Sequence, residues 1–246
     1  CGSIIVPTGY LDGQAMCGRY KLIFDADALA ARFAAILGEV TITPKYNIAP
    51  GTFEPIVRVD NDARKIEAYW WGLVPHWAKE KSFGARTVNA RSETVAEKPA
   101  FRAALRQRRC LVPADGYYEW KVLPGGGKQP YLFKMASNEP FAFGGLWETW
   151  NGPDGTLHSF CTITTEPNEL CARVHDRMPV IIAPADYDQW LDPTVKDATK
   201  AMSMIRSFPS EEMISYPVSM KVNSVRNQAP EVAEPLDAPV QGELET

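Results

Sequence analysis

Histidine and cysteine are scarce in this chain, and no stretch of it is both long and apolar. The 246 residues hold three histidines and five cysteines: Cys1, Cys17, Cys110, Cys161 and Cys171. The cysteine count is odd, the spacing is wide and no CxxC pair occurs. That pattern argues against a disulfide framework and against a zinc site. A reducing, cytoplasmic setting fits it best. No apolar run reaches the ~20 residues that a membrane-spanning helix requires. The first 15 residues lack a basic start and a long apolar stretch, so they do not read as a secretory signal. No repeat of solenoid period is present. Excess basic charge is also absent, since the formal net charge is −4. The balance hides an asymmetry. Residues 229–246 carry Glu231, Glu234, Asp237, Glu243 and Glu245 with no Lys or Arg, and without them 26 basic side chains face 25 acidic ones. Nucleic-acid binding would therefore need a local basic groove, not a basic protein.

What is present suits a globular body. With 45% hydrophobic residues over this length, a sizeable core can form in one domain, and no composition break marks a boundary. Asp25 to Leu37 reads as a helix: Asp25 caps it, Leu29, Phe33, Ile36 and Leu37 share a face, and Gly38 ends it. Residues 54–59 and 65–71 read as a hairpin around Asp60-Asn61-Asp62. Strands follow at 110–113, 116–122 and 131–135, and 141–150 pairs with 158–164 across a Gly-Pro-Asp-Gly turn. Short helices are expected at 97–108, 167–173, 185–191 and 195–207, with a late strand at 216–220. Strands outnumber helices and follow one another directly. The fold class is thus α+β with mainly antiparallel sheets, and the acidic end is expected to be a disordered tail.

Several short stretches are rich in reactive or ligand-binding side chains. Met16-Cys17-Gly18-Arg19 sets a start-like methionine before a cysteine. If Cys17 became the first residue, it would carry both a free amine and a thiol, a 1,2-aminothiol that condenses with an aldehyde to a thiazolidine. Both groups titrate within about two units of neutrality. An ordinary alternative is a buried cysteine at a strand start. Asn89-Ala90-Arg91-Ser92-Glu93-Thr94 is either a solvated loop with a helix cap, or a site where the Asn89 amide holds an oxygen or an amine and Arg91 grips a phosphate. Glu119 lies in an aromatic strand, where period-2 alternation puts it on the face of Tyr117 and opposite Trp120. There it is either an exposed partner of a cation or a general acid/base with a raised pKa. His175 precedes an apolar run and suits either proton transfer or a helix end. Trp77, after Pro75, can stack on a base, whereas Trp70 and Trp71 suit a core. Arg102, Arg106 and Arg109 recur at helical spacing, as a phosphate track or as a solvated face.

These segments, in this order, resemble the SOS-response-associated peptidase (SRAP) family of abasic-site processing proteins. The resemblance rests on Cys17-Gly18-Arg19, Tyr46 to Gly51, Trp71-Gly72, Asn89 to Thr94, Arg109 to Trp120 and His175 to Pro179, and spans about 17–228. It implies an SRAP-like, barrel-like β core in one domain, preceded by an extension or propeptide at 1–16. It further implies a DNA-damage protein that binds single-stranded DNA at abasic sites and cross-links to them, monomeric, cytoplasmic and nucleoid-associated when on DNA. No metal, cofactor or membrane is called for. Carried over by position, Cys17 is the nucleophile through amine and thiol, Glu119 the acid/base, His175 the residue of sugar opening and reversal, and Asn89 the positioning amide. Arg19, Arg91 and Arg177 match phosphate-contacting arginines. The chain departs from the family pattern in the residues ahead of Cys17. It departs again at Ala78, where a second tryptophan is usual, and in the longer loop that follows. Peptidase action on its own residues 1–16, or plain single-strand binding, are the alternatives.

Overall fold

The computed structural model describes residues 17–236. The expectations placed on residues 1–16 and on 237–246 lie outside the described residues. Strands come first at β1 (Tyr20–Leu22), and α1 (Ala26–Phe33) is followed by β2 (Ile36–Leu37), β3 (Lys45–Ile48), β4 (Phe53–Asp60), β5 (Ala63–Trp71) and β6 (Asn89–Arg91). After α2 (Arg102–Gln107) come β7 (Arg109–Ala114), β8 (Gly116–Val122), β9 (Lys128–Met135), β10 (Phe141–Gly152), β11 (Gly155–Thr165) and β12 (Met178–Pro179). The described chain continues through α3 (Tyr187–Leu191) and α4 (Ala198–Ser203) to β13 (Met213–Pro217).

Five strands close into a barrel. β5 pairs with β4, β4 with β7, β7 with β10 and β10 with β11, all antiparallel, and β11 returns to β5 through a parallel contact at Ser159↔Trp70 and Phe160↔Trp71. Closure removes the open edges that a flat sheet would expose. The second sheet runs β13-β9-β8-β1-β3. The chain crosses between the two sheets at Asp115, the one residue separating β7 from β8. That carboxylate is buried, sits 2.5 Å from Lys21 Nζ and accepts the N–H of Ile23 at 2.7 Å, so it pins β1 at the crossing. Aromatic rings fill the space between the sheets. Tyr20 meets Trp71 and Phe143 edge-on, and Tyr117 stacks on Phe133.

The 60–62 hairpin forms as its residues require, with Asn61 and Asp62 both in the left-handed region (φ 48° and 62°), the geometry that matches the twist of the flanking strands. Helix α1 is shorter than its apolar pattern. Asp25 accepts the N–H of Ala28 at 2.8 Å, but the helix stops at Phe33 with Ala34 left-handed (φ 47°), not at Gly38. Ile36 and Leu37 instead pair with Lys65 and Ile66, so a sheet edge claims the last turn. The helices expected at 97–108 and 195–207 are trimmed to α2 and α4, 167–173 holds only a 3-10 turn at Cys171–Arg173, and the late strand starts earlier, at Met213. The packed body also runs past residue 228. Val232 is fully buried with Tyr118, Leu132, Val218 and Val222, and Pro235 bridges to Val218.

Candidate active site around Cys17

Strand pairing brings Cys17 to Glu119. β1 and β8 are antiparallel with Tyr20↔Tyr117 and Lys21↔Gly116, and continuing that register sets Gly18 beside Glu119. The backbone N–H of Cys17 donates to Glu119 Oε1 at 2.8 Å. Both residues are buried, at 6% and 4% exposure. Cys17 has φ 50°, a strained conformation for a residue with a side chain. A narrow cavity beneath it is lined in part by Tyr20, Trp71, Tyr117, Phe143 and Thr162. The glutamate is therefore no exposed partner of Lys121. Its carboxylate faces the nitrogen that a terminal Cys17 would use.

Burial governs the charges here. Desolvation pushes the Glu119 carboxyl above the ordinary carboxylate range, against the opposing pull of His175 and of the Cys17 hydrogen bond. The Cys17 thiol is pushed well up, first by burial and then by Glu119. Cys171, which the sequence reading left aside, is nearby. Its Sγ lies 2.9 Å from the Tyr117 hydroxyl, and burial raises its pKa to about 11. An acidic carboxyl beside a neutral thiol suits proton donation first and thiolate formation afterwards.

His175 follows the 3-10 turn at Cys171–Arg173. Its Nδ1 accepts the backbone N–H of Arg177 at 3.1 Å and lies 3.1 Å from Asp176 Oδ1. The histidine is thus held by its own loop. Arg177 is committed elsewhere. Its guanidinium forks onto both oxygens of Glu93 and also donates to Thr164 O at 2.8 Å. That ties the His175 loop to the segment after β6.

A parallel pairing sets Asn89 beside Thr162, which borders the cavity. β6 lies along β11 with Asn89↔Thr162, Ala90↔Ile163 and Arg91↔Thr164. The Thr162 hydroxyl donates to Asn89 Oδ1 at 2.5 Å. Arg91 on the same strand is exposed, with no ion pair among the described residues. Arg19 behaves differently. Its Nη1 donates to Asn47 Oδ1 and to Val222 O, both at 2.8 Å, and its Nη2 to Asn223 O at 3.2 Å. The Asn47 amide donates to the carbonyls of Val222, Ser224 and Asn227. Together these side chains clamp the 222–227 segment. Trp120, half-buried, lies under Arg19 with 5.7 Å between guanidinium and ring, and its indole N–H donates to Asn223 Oδ1 at 2.7 Å. Alternation had placed Trp120 opposite Glu119, but nothing in the sequence reading singled it out.

Other expected residues lie away from this cluster. Trp77 is 48% exposed on the loop after β5 and packs edge-on against Phe83. The loop is seated by a contact that only glycine allows. Gly72 has φ 132°, and a Cβ there would meet Gly84 O at 2.8 Å. Arg109 is no part of a phosphate track, because it is buried and donates to the carbonyls of Leu105, Trp190 and Asp192. Trp71 is buried in the core, whereas Trp70 is half-buried with Lys81 over its ring.

Comparison with known proteins decides the family. The model of the SOS response associated peptidase (SRAP) family matches residues 16–225. The chain belongs to the SRAP family. It is 41% identical over 224 residues to the abasic site processing protein YoqW of Bacillus subtilis (strain 168), covering 89% of this chain and 99% of that one. Against the abasic site processing protein HMCES of Gallus gallus it is 32% identical over 241 residues, covering 85% of this chain and 71% of that protein. The fold recurs in a protein from Bacteroides thetaiotaomicron, with TM-score 0.81, 25% identity and coverage of 89% and 100%. The family match begins one residue before Cys17 and takes in Asn89, Glu119 and His175.

Proposed function

We propose that this SRAP protein recognises abasic sites in single-stranded DNA and, once Cys17 carries a free amine, traps them as a covalent thiazolidine. The observation that carries the reading is the 2.8 Å hydrogen bond from the Cys17 nitrogen to Glu119, with the thiol buried in the same pocket. The relatives' names support the substrate class.

The chemistry balances without a metal or cofactor. An abasic sugar is mostly a closed hemiacetal. Ring opening moves a proton from the C1 hydroxyl to the ring oxygen, leaving an aldehyde and a new hydroxyl, a shuttle suited to His175. The Cys17 amine adds to the aldehyde, and Glu119 protonates the carbinolamine oxygen so that it leaves as water. Attack of Cys17 Sγ on the resulting imine carbon, with loss of the thiol proton, closes the five-membered ring. The net change is one water released. Arg91 meets a flanking phosphate, while Trp77 and Trp120 offer stacking faces. An abasic nucleotide has no base to unstack, so presenting its sugar to a pocket costs little.

Protein beginning at Cys17, mixed with an oligonucleotide carrying one abasic site, should give an adduct that survives denaturing electrophoresis. Cys17→Ser should give no stable adduct, because a hydroxyl does not replace the thiol in this ring closure. A wild-type protein without adduct, or a stable adduct in Cys17→Ser, overturns the reading. A second activity is favoured by the same hydrogen bond. Glu119 faces the nitrogen of the Met16–Cys17 peptide bond, so hydrolysis of that bond would release the amine where it is used. Mass spectrometry should find residues 1–16 removed in the wild type and retained in Glu119→Gln.

A further inference from the structure

We infer that Tyr117 is a positioning residue: its hydroxyl, bonded to the Cys171 thiol, sets the turn that carries His175 against the strand that carries Glu119. The inference rests on the function proposed above. Tyr117 stands two residues before Glu119 on β8, so the two side chains share a face. It is buried, at 1% exposure, and its ring borders the cavity beneath Cys17. The ring stacks on Phe133 with 5.0 Å between centroids and meets Phe143 edge-on. Phenylalanine would make both contacts equally well. What the hydroxyl adds is the contact with Cys171 Sγ at 2.9 Å.

Cys171 gives that contact its consequence. It opens the 3-10 turn Cys171–Arg173 and is buried. Its N–H donates to Asn168 Oδ1 at 2.8 Å, and its carbonyl accepts the N–H groups of Val174 and His175, both at 2.9 Å. One residue therefore bonds the Glu119 strand through its side chain and the His175 backbone through its carbonyl. The far side of His175 is held separately, by Arg177 on Glu93 and by the pairing of β12 with β11. Glu119 feels the pull of His175 across this link. Burial raises the pKa of both Tyr117 and Cys171, so the bond joins two neutral groups at neutral pH, and either can donate. A buried thiol packs well as a small apolar group, so the fold itself does not call for a hydroxyl here. Its use is geometric. A proton shuttle for sugar opening must stand within hydrogen-bond reach of the oxygen it serves, and a small displacement is costly.

The test compares variants of the protein starting at Cys17 on two probes. One is an oligonucleotide with a single abasic site. The other is propionaldehyde, an open-chain aldehyde with no ring to open. Adducts are read by mass. On saturating abasic oligonucleotide, Tyr117→Phe should slow cross-linking about 10- to 100-fold, the cost of a misplacement of about 1 Å, with DNA affinity within about twofold. On propionaldehyde the same variant should form the thiazolidine at the wild-type rate, because Cys17 and Glu119 are untouched. A variant slowed equally on both probes, or on neither, overturns the inference. His175→Ala should be at least as slow on the abasic oligonucleotide, and adding Tyr117→Phe to it should cost nothing more, whereas a further loss of about tenfold overturns the inference. If Tyr117→Phe unfolds, Cys171→Ser against Cys171→Ala decides the same question. Serine keeps a partner for the hydroxyl and should retain most of the rate that alanine loses, and equal rates overturn the inference. Failure of the wild type to cross-link to abasic DNA at all would instead count against the function proposed above.

Discussion

Glu119 shows how one residue couples stability to chemistry. Its pKa in the folded chain is raised, chiefly by burial. The sign follows directly. A carboxyl whose folded pKa exceeds its unfolded value contributes stability that is complete below the unfolded pKa and is lost as pH rises through the folded one. Glu119→Gln removes that penalty while its amide oxygen can still accept from Cys17. Thermal unfolding of the chain that retains Met16 should therefore show Glu119→Gln more stable at pH 8, by roughly 2–4 °C for about 1 kcal/mol. The difference should vanish near pH 4. A gain of equal size at both values would place the effect in packing instead of ionisation. The same variant should lose cross-linking, so stability and activity move in opposite directions at one position.

At the scale of elements, the 222–227 segment depends on a clamp. Asn47 lies within β3, donates to three carbonyls of the 222–227 segment and accepts from Arg19. Asn47→Ala leaves those carbonyls and the guanidinium short of partners. It should destabilise the protein by about 2–4 kcal/mol, read as a lower denaturation midpoint, and should loosen Trp120 enough to weaken DNA binding. An unchanged midpoint would show that the segment holds by its apolar contacts alone. Element identity itself was largely legible in the chain. The hairpin at 60–62 and the pairing of β10 with β11 follow from turn residues and alternation, which are local properties. The end of α1 was not legible, because Ile36 and Leu37 satisfy a helical face and a sheet edge equally well, and only the neighbouring β5 decides between them.

Across the whole molecule, a net charge of −4 has to coexist with the DNA binding proposed above. The distribution resolves this. Arg19, Arg109 and Arg177 are engaged by carbonyls or by Glu93 inside the structure, which leaves Arg91, Arg102 and Arg106 exposed among the arginines the sequence pointed to. Binding of single-stranded DNA should thus be only moderately salt-sensitive. Arg91→Ala should lower the slope of log affinity against log salt by about 0.7, the loss of one phosphate contact. An unchanged slope would remove Arg91 from the interface.

By itself the sequence determined the family and the α+β class, and it pointed to Cys17, Asn89, Glu119 and His175 as the candidates for the site. Those rest on residue types, their order and short-range periodicity, which a linear chain displays in full. Only the tertiary structure decided what each side chain faces. Barrel closure through the parallel β5–β11 contact, the crossing at Asp115 and the β6–β11 register are long-range pairings with no local signature. They bury Glu119 against the Cys17 nitrogen, turn Arg19 and Arg177 inward and set Thr162 on Asn89. A residue's chemistry is written in its side chain, but its partner is chosen by which distant strand packs beside it.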